Sequence, residues 1–410
     1  MKYARKRAVR VGFLSSAIAL AVLAIAPSAF AAGFTFVNQT PSGPTHNQDW
    51  TSIASSGDGS RLAAAVYHGD LWTSSDYGVT WTDRTPSGAA HNLEWNAVTS
   101  SGNGSRLTAT ERTNDDIWTS SDYGVTWINA TASAAAHGQP WNSIASSSDG
   151  SRLIADGSIG DLWTSSDYGV TWTDRTPSGG ANNQGWLSVA SNNNGSTLAA
   201  VINGGDIWTS TDYGVTWTDR TPSGPTHNQG WHVITVSGNG SRMAAIAGSG
   251  DIWTSTDYGV TWTDRTPSGG AHNLMWEGLA TSNDGSRLAA TVYNGDIWTS
   301  ADYGVTWTNQ TAGGPASGQT WGSIASSNDG SRLAAAVVAG DIWAAYDPSP
   351  VTSPTTTNNS GAAIPAAPDT GYGSPDSKLP TKLLVLAFGV LEFGCIAVGA
   401  ALLHQRPKRS

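Results

Sequence analysis

Short apolar runs alternate with polar, glycine-containing segments along most of the chain. One stretch contains four such runs in succession: SIASS at 52–56, LAAAV at 62–66, DLWTS at 70–74 and VTWTD at 79–83. The first two are separated by an Asp-Gly pair, which is typical of tight hairpin turns. We therefore predict that each such stretch folds as a four-stranded antiparallel meander.

The meander is repeated with a period of 45 residues, with a single step of 46 that comes from an extra residue within 109–118. All 20 tryptophans fall into three registers of this period. The register that opens each unit has seven members: Trp50, Trp95, Trp141, Trp186, Trp231, Trp276 and Trp321. A fixed period of this length is the signature of a repeat architecture.

The distribution of side-chain sizes favours radial stacking of the units. A single meander cannot bury both of its faces, whereas units packed around an axis do so and leave only short edges. The first two strands carry small side chains that suit a crowded axis, and the outer two carry rings such as Trp72 and Trp81. We predict an all-β fold, a seven-bladed β-propeller over residues 32–347.

The N-terminal strand is expected to close the ring. Residues 34–50 align with 215–231, so the mature chain opens with a fourth strand, while the unit that starts at Trp321 ends at DIWAAYDPSP without one. Pairing of these two segments would complete the last blade and remove an exposed edge.

Both ends of the chain have the composition of targeting or anchoring segments. Residues 1–31 have the basic, apolar and small-residue regions of a secretory signal peptide. A Pro-, Thr-, Ser- and Gly-rich linker over 348–380 leads to an apolar transmembrane helix over 381–403 and a basic cytoplasmic tail over 404–410. These segments predict a single-pass protein on the extracellular face of the cell membrane or in the cell wall, with its C-terminus in the cytoplasm.

A short motif raises a second possibility for the anchor. Pro368-Asp369-Thr370-Gly371, followed by the apolar span and the basic tail, resembles part of the sorting signal by which sortases attach bacterial proteins to the cell wall. The chain departs from that signal at its first position, where Ala367 replaces Leu, and in its eleven-residue spacer. A simple membrane anchor and a sortase partner both stay open.

The string S-x-D-x-G-x-T-W occurs in six units and matches the Asp box, or BNR repeat. The chain therefore resembles the superfamily of sialidases, sortilin-type receptors, xyloglucan-active glycosidases and propellers like the photosystem II assembly factor. The resemblance implies the fold rather than one function, because the superfamily includes enzymes, receptors and assembly factors. It also implies that the box aspartates are structural: Asp76, Asp122, Asp167, Asp212, Asp257 and Asp302.

The letters of the box agree with a structural role. The carboxylate of Asp76 is placed to accept hydrogen bonds from the backbone of its own turn, and Gly78 permits a positive φ. The tyrosines at the variable position of the turn are expected to face solvent: Tyr77, Tyr123, Tyr168, Tyr213, Tyr258 and Tyr303.

Charge and composition exclude several classes of function. Residues 34–347 contain 25 Asp and 3 Glu against 11 Arg and no Lys, a formal charge of −17 that repels nucleic acid. Ten of the arginines belong to the repeat consensus, and the glutamates form no pattern of a two-carboxylate glycosidase centre. Five histidines recur once per blade, too widely spread for one metal ion. We predict no cofactor, metal or catalytic residues, with a leaning against an enzyme.

The repeat breaks down in the loops between the second and third strands and before each opening Trp. Ligands usually meet a propeller on this face. The candidate ligand-binding residues are Tyr67, His68, Glu111, Arg112, Asn114, Asp115, Asn203, Tyr293 and Asn294. We expect a non-catalytic module that binds an extracellular glycan or protein, possible roles being adhesion or recognition. A sialidase- or glycosidase-like hydrolase and an assembly factor for a membrane complex are the alternatives.

Deletion of residues 34–40 should destabilise the whole ring, because the last blade would lose its fourth strand. Thermal unfolding measures this effect, and an unchanged melting temperature would contradict closure by the N-terminal strand.

Overall fold

The computed structural model describes residues 33–132, 136–157, 160–176 and 178–347. The predicted signal peptide (1–31), linker (348–380), transmembrane helix (381–403), tail (404–410) and sortase motif (368–371) lie outside the described residues. Within the described ranges, no helix has the length and apolar character needed to cross a membrane.

The described chain forms 28 short strands, and four strands belong to each repeat. The first strands, which start at or near the opening Trp, are β2 Trp50–Ser55, β6 Trp95–Ser100, β10 Trp141–Ser146, β14 Trp186–Ser191, β18 Gln229–Val236, β22 Trp276–Thr281 and β26 Trp321–Ser326. The second strands are β3 Leu62–Val66, β7 Leu107–Glu111, β11 Leu153–Gly157, β15 Leu198–Gly205, β19 Met243–Ala247, β23 Leu288–Val292 and β27 Arg332–Val337.

The outer strands are shorter. The third strands are β4 Leu71–Ser74, β8 Asp116–Ser120, β12 Leu162–Ser165, β16 Ile207–Ser210, β20 Ile252–Ser255, β24 Ile297–Ser300 and β28 Ile342–Tyr346. The fourth strands are β1 Val37–Asn38, β5 Thr82–Asp83, β9 Ile128–Asn129, β13 Thr173–Asp174, β17 Thr218–Asp219, β21 Thr263–Asp264 and β25 Thr308–Asn309.

The strands pair as seven antiparallel meanders, numbered blades 1 to 7 from β2 onward. The first strands contact one another in cyclic order, from β2 through β6, β10, β14, β18, β22 and β26 back to β2, so they lie innermost. In blade 7, β1 takes the fourth position and pairs with β28, with Val37 opposite Ala344. The predicted closure by the N-terminal strand is therefore present. Blades 4 and 5 are additionally joined where β15 pairs with β18.

The hydrophobic core is divided into seven clusters, each between two neighbouring blades. One cluster combines Trp50, Ile53 and Leu62 of blade 1 with Ala334 and Ile342 of blade 7. All seven opening tryptophans are fully buried, at 0% exposure. Each blade thus places large rings against the alanines of its neighbour, which explains the division into small and large residues in the sequence.

The turns between first and second strands meet around the axis on one face, here called the turn face. Each turn donates a backbone hydrogen bond to the next, at N–O distances of 2.7–3.0 Å. The series passes through Gly57, Gly102, Ser148, Asn193, Gly238, Asn283 and Asn328, and then returns to Gly57. Seven blades therefore share one closed ring of seven backbone hydrogen bonds.

Crowding at this ring limits the side chains it can hold. A Cβ at Gly238 would clash with the amide groups of Asn283 and Asn193, which are themselves joined by a hydrogen bond of 2.7 Å. A Cβ at Gly102 would lie 2.6 Å from Oγ of Ser148. All seven positions of the ring hold glycine or a short polar residue, because the space beside the axis is shared between neighbouring turns.

The sequence predicted only that the box tyrosines face solvent. In the structure five of them also contact an arginine of the preceding blade. The ring of Tyr77 lies under the guanidinium of Arg332 in the preceding blade, at 3.9 Å. Four further pairs repeat this contact at 3.7–4.1 Å: Arg61 with Tyr123, Arg106 with Tyr168, Arg152 with Tyr213 and Arg242 with Tyr303. Blade 4 has Thr197 in place of the arginine. Both consensus residues thus serve the interface between blades, where a cation–π contact contributes about 0.5–1 kcal/mol.

Substitution of Gly238 by Ala should destabilise the ring by about 1–3 kcal/mol, because the new methyl group must displace Asn283 or widen the turn. Chemical denaturation of the variant measures the change.

Gly185→Ala is the matched control, because a Cβ at Gly185 meets no atom within 4 Å. Its stability should stay within about 0.5 kcal/mol of the parent protein. Equal effects of the two substitutions would show that crowding at the axis is not the constraint.

Candidate functional site

The face opposite the turn face, here called the loop face, carries the loops between second and third strands. In six blades this loop is hydrogen-bonded to the segment before the opening Trp of its own blade, as in the 2.9 Å bond from the Tyr67 N–H to the Asp49 carbonyl. Gly69 also forms a β-bridge to Leu93 at the start of blade 2. Four other interfaces between neighbouring blades, here called seams, have an equivalent bridge. Side chains from adjacent blades are therefore held next to one another on this face.

Seven of the nine candidate ligand-binding residues lie in these loops, and Glu111 and Asn203 belong to the second strands that lead into them. Their exposure differs. The exposed ones are His68, Arg112, Asn114, Asn203, Tyr293 and Asn294, while Tyr67 and Asp115 are half-buried. His68 and Asn294 occupy the same loop position, with φ of 52° and 51°, and Asp115 has a φ of 56° at the next position of its own loop. This left-handed conformation favours Asn, Asp and His among residues other than glycine.

Glu111 does not present its carboxylate on the surface. It is fully buried, and its Oε2 accepts a 2.9 Å hydrogen bond from the Asn114 N–H. Burial raises the pKa of this carboxyl group. Glu111 therefore shapes its loop from beneath. Sequence analysis selected it because the repeat breaks down at this loop, and that pattern carries no information on burial.

The remaining candidates form small groups rather than one cluster. The rings of Tyr67 and His68 are 4.2 Å apart, and His68 Nδ1 lies 3.7 Å from Oε1 of Glu94 in blade 2. In blade 6, Asn294 accepts a 2.6 Å hydrogen bond from the Thr320 hydroxyl. Asn203 belongs to the second strand of blade 4.

Sequence analysis missed a ring of residues that lies inside these loops. In every blade the pairing between first and second strands shifts register directly after the opening Trp, as between Trp50 and Ser52. Such a bulge turns one side chain out of the regular alternation. The seven residues of this bulge ring are Thr51, Asn96, Asn142, Leu187, His232, Glu277 and Gly322, all half-buried.

Side chains of the bulge ring reach from blade to blade. The Thr51 hydroxyl donates to the Trp95 carbonyl at 3.0 Å, and the Asn142 amide donates to the Leu187 carbonyl at 2.6 Å. His232 Nε2 lies 3.3 Å from Oε1 of Glu277. The sequence does contain a signal for this ring, because the position after the Trp differs in almost every unit while its neighbours repeat.

One contact joins the bulge ring to the loops. Arg112 Nη2 donates to Oδ1 of Asn142 in the next blade, at 2.7 Å. The extra residue of the 46-residue unit lies in the same loop as Arg112, so this blade alone extends a guanidinium toward the ring. The loop face therefore offers hydrogen-bond donors, acceptors and aromatic rings in an order that does not repeat.

The recurring histidines have structural partners. His91 Nδ1 lies 2.9 Å from Asp70 of the preceding blade, and this hydrogen bond raises the pKa of His91. Four equivalent pairs have distances of 2.7–2.9 Å: His46 with Asp341, His137 with Asp116, His227 with Asp206 and His272 with Asp251. Over the described ranges, no group of three or more His, Cys, Asp or Glu residues is placed to hold a metal ion.

The Asp box forms the hairpin between third and fourth strands on the turn face. Asp76 Oδ1 accepts hydrogen bonds from the Thr80 N–H and the Ser74 hydroxyl, both at 2.8 Å, and its Oδ2 accepts from the Thr80 hydroxyl at 2.6 Å. The model of the BNR-Asp box repeat matches residues 71–83 and 162–174, which span this hairpin in blades 1 and 3. The chain is a β-propeller of BNR repeats.

Solved structures of low sequence identity share the fold of this BNR propeller. YCF48 bound to a D1 peptide has a TM-score of 0.58 and 15% identity, covering 77% of this chain and 96% of the other. YCF48 from Cyanidioschyzon merolae has a TM-score of 0.58 and 16% identity, covering 77% and 99%. A GH74 enzyme from Niastella koreensis has a TM-score of 0.60 and 20% identity, covering 75% and 53%. No curated protein matches the sequence.

The seventh unit of the BNR propeller keeps the box aspartate but uses it differently. Asp347 aligns with Asp302, whereas Ala345 replaces the box serine. Asp347 is buried, and its Oδ2 lies 3.3 Å from Nη1 of Arg287, which is also buried. The arginine that stacks on a tyrosine at other seams thus forms an ion pair at this one.

A further buried carboxyl group, that of Asp156, lies on β11. Asp156 is fully buried, and its Oδ1 accepts a 2.5 Å hydrogen bond from the Ser143 N–H while Oδ2 has no partner among the described residues. Burial raises the pKa of Asp156 to about 7. The equivalent positions in other blades carry uncharged residues such as Ala65, Val201 and Ile246.

Asp156→Asn should stabilise the propeller at pH 8 and have little effect at pH 4. The folded state binds the Asp156 proton more tightly than the unfolded state, so the parent protein loses stability as the pH rises from about 4 to 7. At ~1.4 kcal/mol per pKa unit the gain at pH 8 is at most about 4 kcal/mol. Thermal melts at the two pH values measure it.

Asp76→Asn serves as the control of opposite sign. Burial raises the pKa of Asp76, but hydrogen bonds from Thr80 and Ser74 outweigh this effect and leave the pKa lowered. This variant should therefore lose more stability at pH 8 than at pH 3. A gain at pH 8 for both variants would rule out the buried carboxyl group as the cause.

Proposed function

We propose that this BNR propeller is a non-catalytic recognition module that binds a protein or glycan through its loop face, at the outer surface of the cell. The observation that carries the proposal is the separation of variable from repeated residues. The turn face repeats its boxes and turns from blade to blade, whereas the loop face and bulge ring present different side chains in each blade.

The chemistry of the loop face suits binding. Tyr67 and Tyr293 offer aromatic rings for stacking on a sugar or an apolar side chain, and Arg112, Asn114 and Asn203 offer polar groups around them. The net charge of −17 over residues 34–347 favours a neutral or basic ligand. A structural neighbour, YCF48, binds a D1 peptide, which supports a protein ligand for a propeller of this fold.

The placement of the glutamates supports binding over glycoside hydrolysis. Hydrolysis by two carboxylates requires the pair to lie within roughly 10 Å across the scissile bond. Glu94 and Glu277 belong to blades 2 and 6, each lies beside a histidine, and Glu111 is buried. The GH74 neighbour and the assembly-factor resemblance keep a hydrolase and an assembly factor as the alternatives.

A screen of the full chain on printed glycan and peptide arrays, with parallel hydrolysis assays on sialosides and xyloglucan, tests the proposal. We expect binding without turnover. Tyr67→Ala and Tyr293→Ala should each weaken binding about tenfold, since a central aromatic anchor commonly contributes that much.

The matched control is Tyr258→Ala, which removes an exposed tyrosine on the turn face that has no arginine partner among the described residues. Its affinity should equal that of the parent chain. Turnover of any substrate, or an equal loss of binding in all three variants, would contradict recognition through the loop face.

A further inference from the structure

On the turn face, side chains at equivalent positions fill the seams between most neighbouring blades. In five blades the side chain after the fourth strand donates to the third-strand threonine at 2.6 Å, as Arg84 Nε does to Thr73. The box glycine of the following blade packs onto the γ-methyl group of that threonine, as Gly124 does on Thr73. Such a seam has little free volume, about 20 Å³ between blades 1 and 2 and about 20 Å³ between blades 3 and 4.

The seam between blades 7 and 1 lacks the third-strand threonine, so Gln39 cannot make the hydrogen bond that Gln310 makes to Thr299. Ala344 occupies the place of the threonine, Ala345 that of the box serine, and Gln39 that of the arginine. The fourth strand here is β1, so no hairpin connects it directly to β28. The result is a cavity of about 270 Å³, here called the seam pocket.

The walls of the seam pocket are mainly apolar. Leu62 and Val79 line it from blade 1, and Val37, Leu333 and Ala344 line it from blade 7. A volume of this size lies just below the usual range for small-molecule sites, so one aromatic or branched side chain is a suitable occupant.

Arg332 contributes a positive charge to the wall of the seam pocket. The Arg332 guanidinium lies between two phenol rings, 3.9 Å from the centre of Tyr77 and 4.2 Å from that of Tyr346. Tyr346 is specific to this seam, because the other blades have Ser, Thr or Ala at its position. Both contacts are made through the face of a tyrosine ring, and the guanidinium N–H groups make no hydrogen bond or ion pair with any described residue, so they are available to a ligand.

We propose that the seam pocket binds a carboxylate carried on an apolar group the size of one aromatic side chain. The planar carboxylate pairs edge-on with Arg332 by two parallel hydrogen bonds, and the apolar group replaces the missing Thr and Arg side chains of the seam. A free aromatic acid and the C-terminal residue of a peptide share this chemistry. The site lies on the turn face and is independent of the loop-face ligand.

Calorimetric titration of the full chain with N-acetyl-L-phenylalanine tests the pocket, and its carboxamide is the comparison probe. The acid should bind, and the amide should bind about tenfold or more weakly because it cannot form the charged pair. Equal affinity of the two probes, or no binding of the acid, would overturn the proposal. N-acetyl-Gly-Gly-Phe separates the sources: tighter binding than the acid identifies a peptide terminus, and equal binding identifies a free acid.

Two variants locate the binding. Arg332→Gln should weaken the acid about tenfold or more and leave the amide unchanged. The double variant Gln39→Arg with Ala344→Thr restores the filling found in other blades and should abolish binding without lowering the melting temperature.

Arg61→Gln removes the equivalent arginine at the filled seam between blades 1 and 2 and should not change the affinity. A refilled variant that still binds the acid like the parent chain, or an equal loss in Arg61→Gln and Arg332→Gln, would overturn the assignment.

Discussion

Seven backbone hydrogen bonds run head to tail around the axis, and every blade supplies one donor and one acceptor to them. A closed series leaves none of these backbone groups unpaired at an end, so the ring has no weak terminus at which the turns could separate. The spacing of the ring in turn dictates what surrounds it. Glycine or a short polar residue stands at each turn and alanines fill the second strands, whereas the opening tryptophans lie at the opposite ends of the innermost strands.

The sequence predicts this architecture well because its constraints are local and periodic. The tryptophan registers count the blades, and the missing fourth strand after Trp343 identifies the N-terminal strand as its replacement. Contacts between blades are harder to predict. Arg61 meets Tyr123 and His91 meets Asp70 across seams, and nothing in a single unit shows which consensus residues will face each other.

The candidate site shows the same limit. Loop variability drew attention to Tyr67, Arg112 and Tyr293, which lie on one face, but exposure could not be inferred for Glu111, whose carboxylate is used inside its own loop. The bulge after each opening Trp was also missed, because a register shift depends on the partner strand as well as on the strand itself. Several of the positions that vary between units are these bulged residues.

Because β28 pairs with β1 on one side and with β27 on the other, both described ends of the chain leave the ring at blade 7. A pulling force applied through the residues after Asp347 therefore enters the molecule at a single strand. That strand is held by five residue pairs to β27, by two to β1 and by the buried ion pair between Asp347 and Arg287 of blade 6. The resistance of the propeller to such a force would thus depend on blades 7 and 6. The other five blades would bear the force only after β28 has separated from its partner strands.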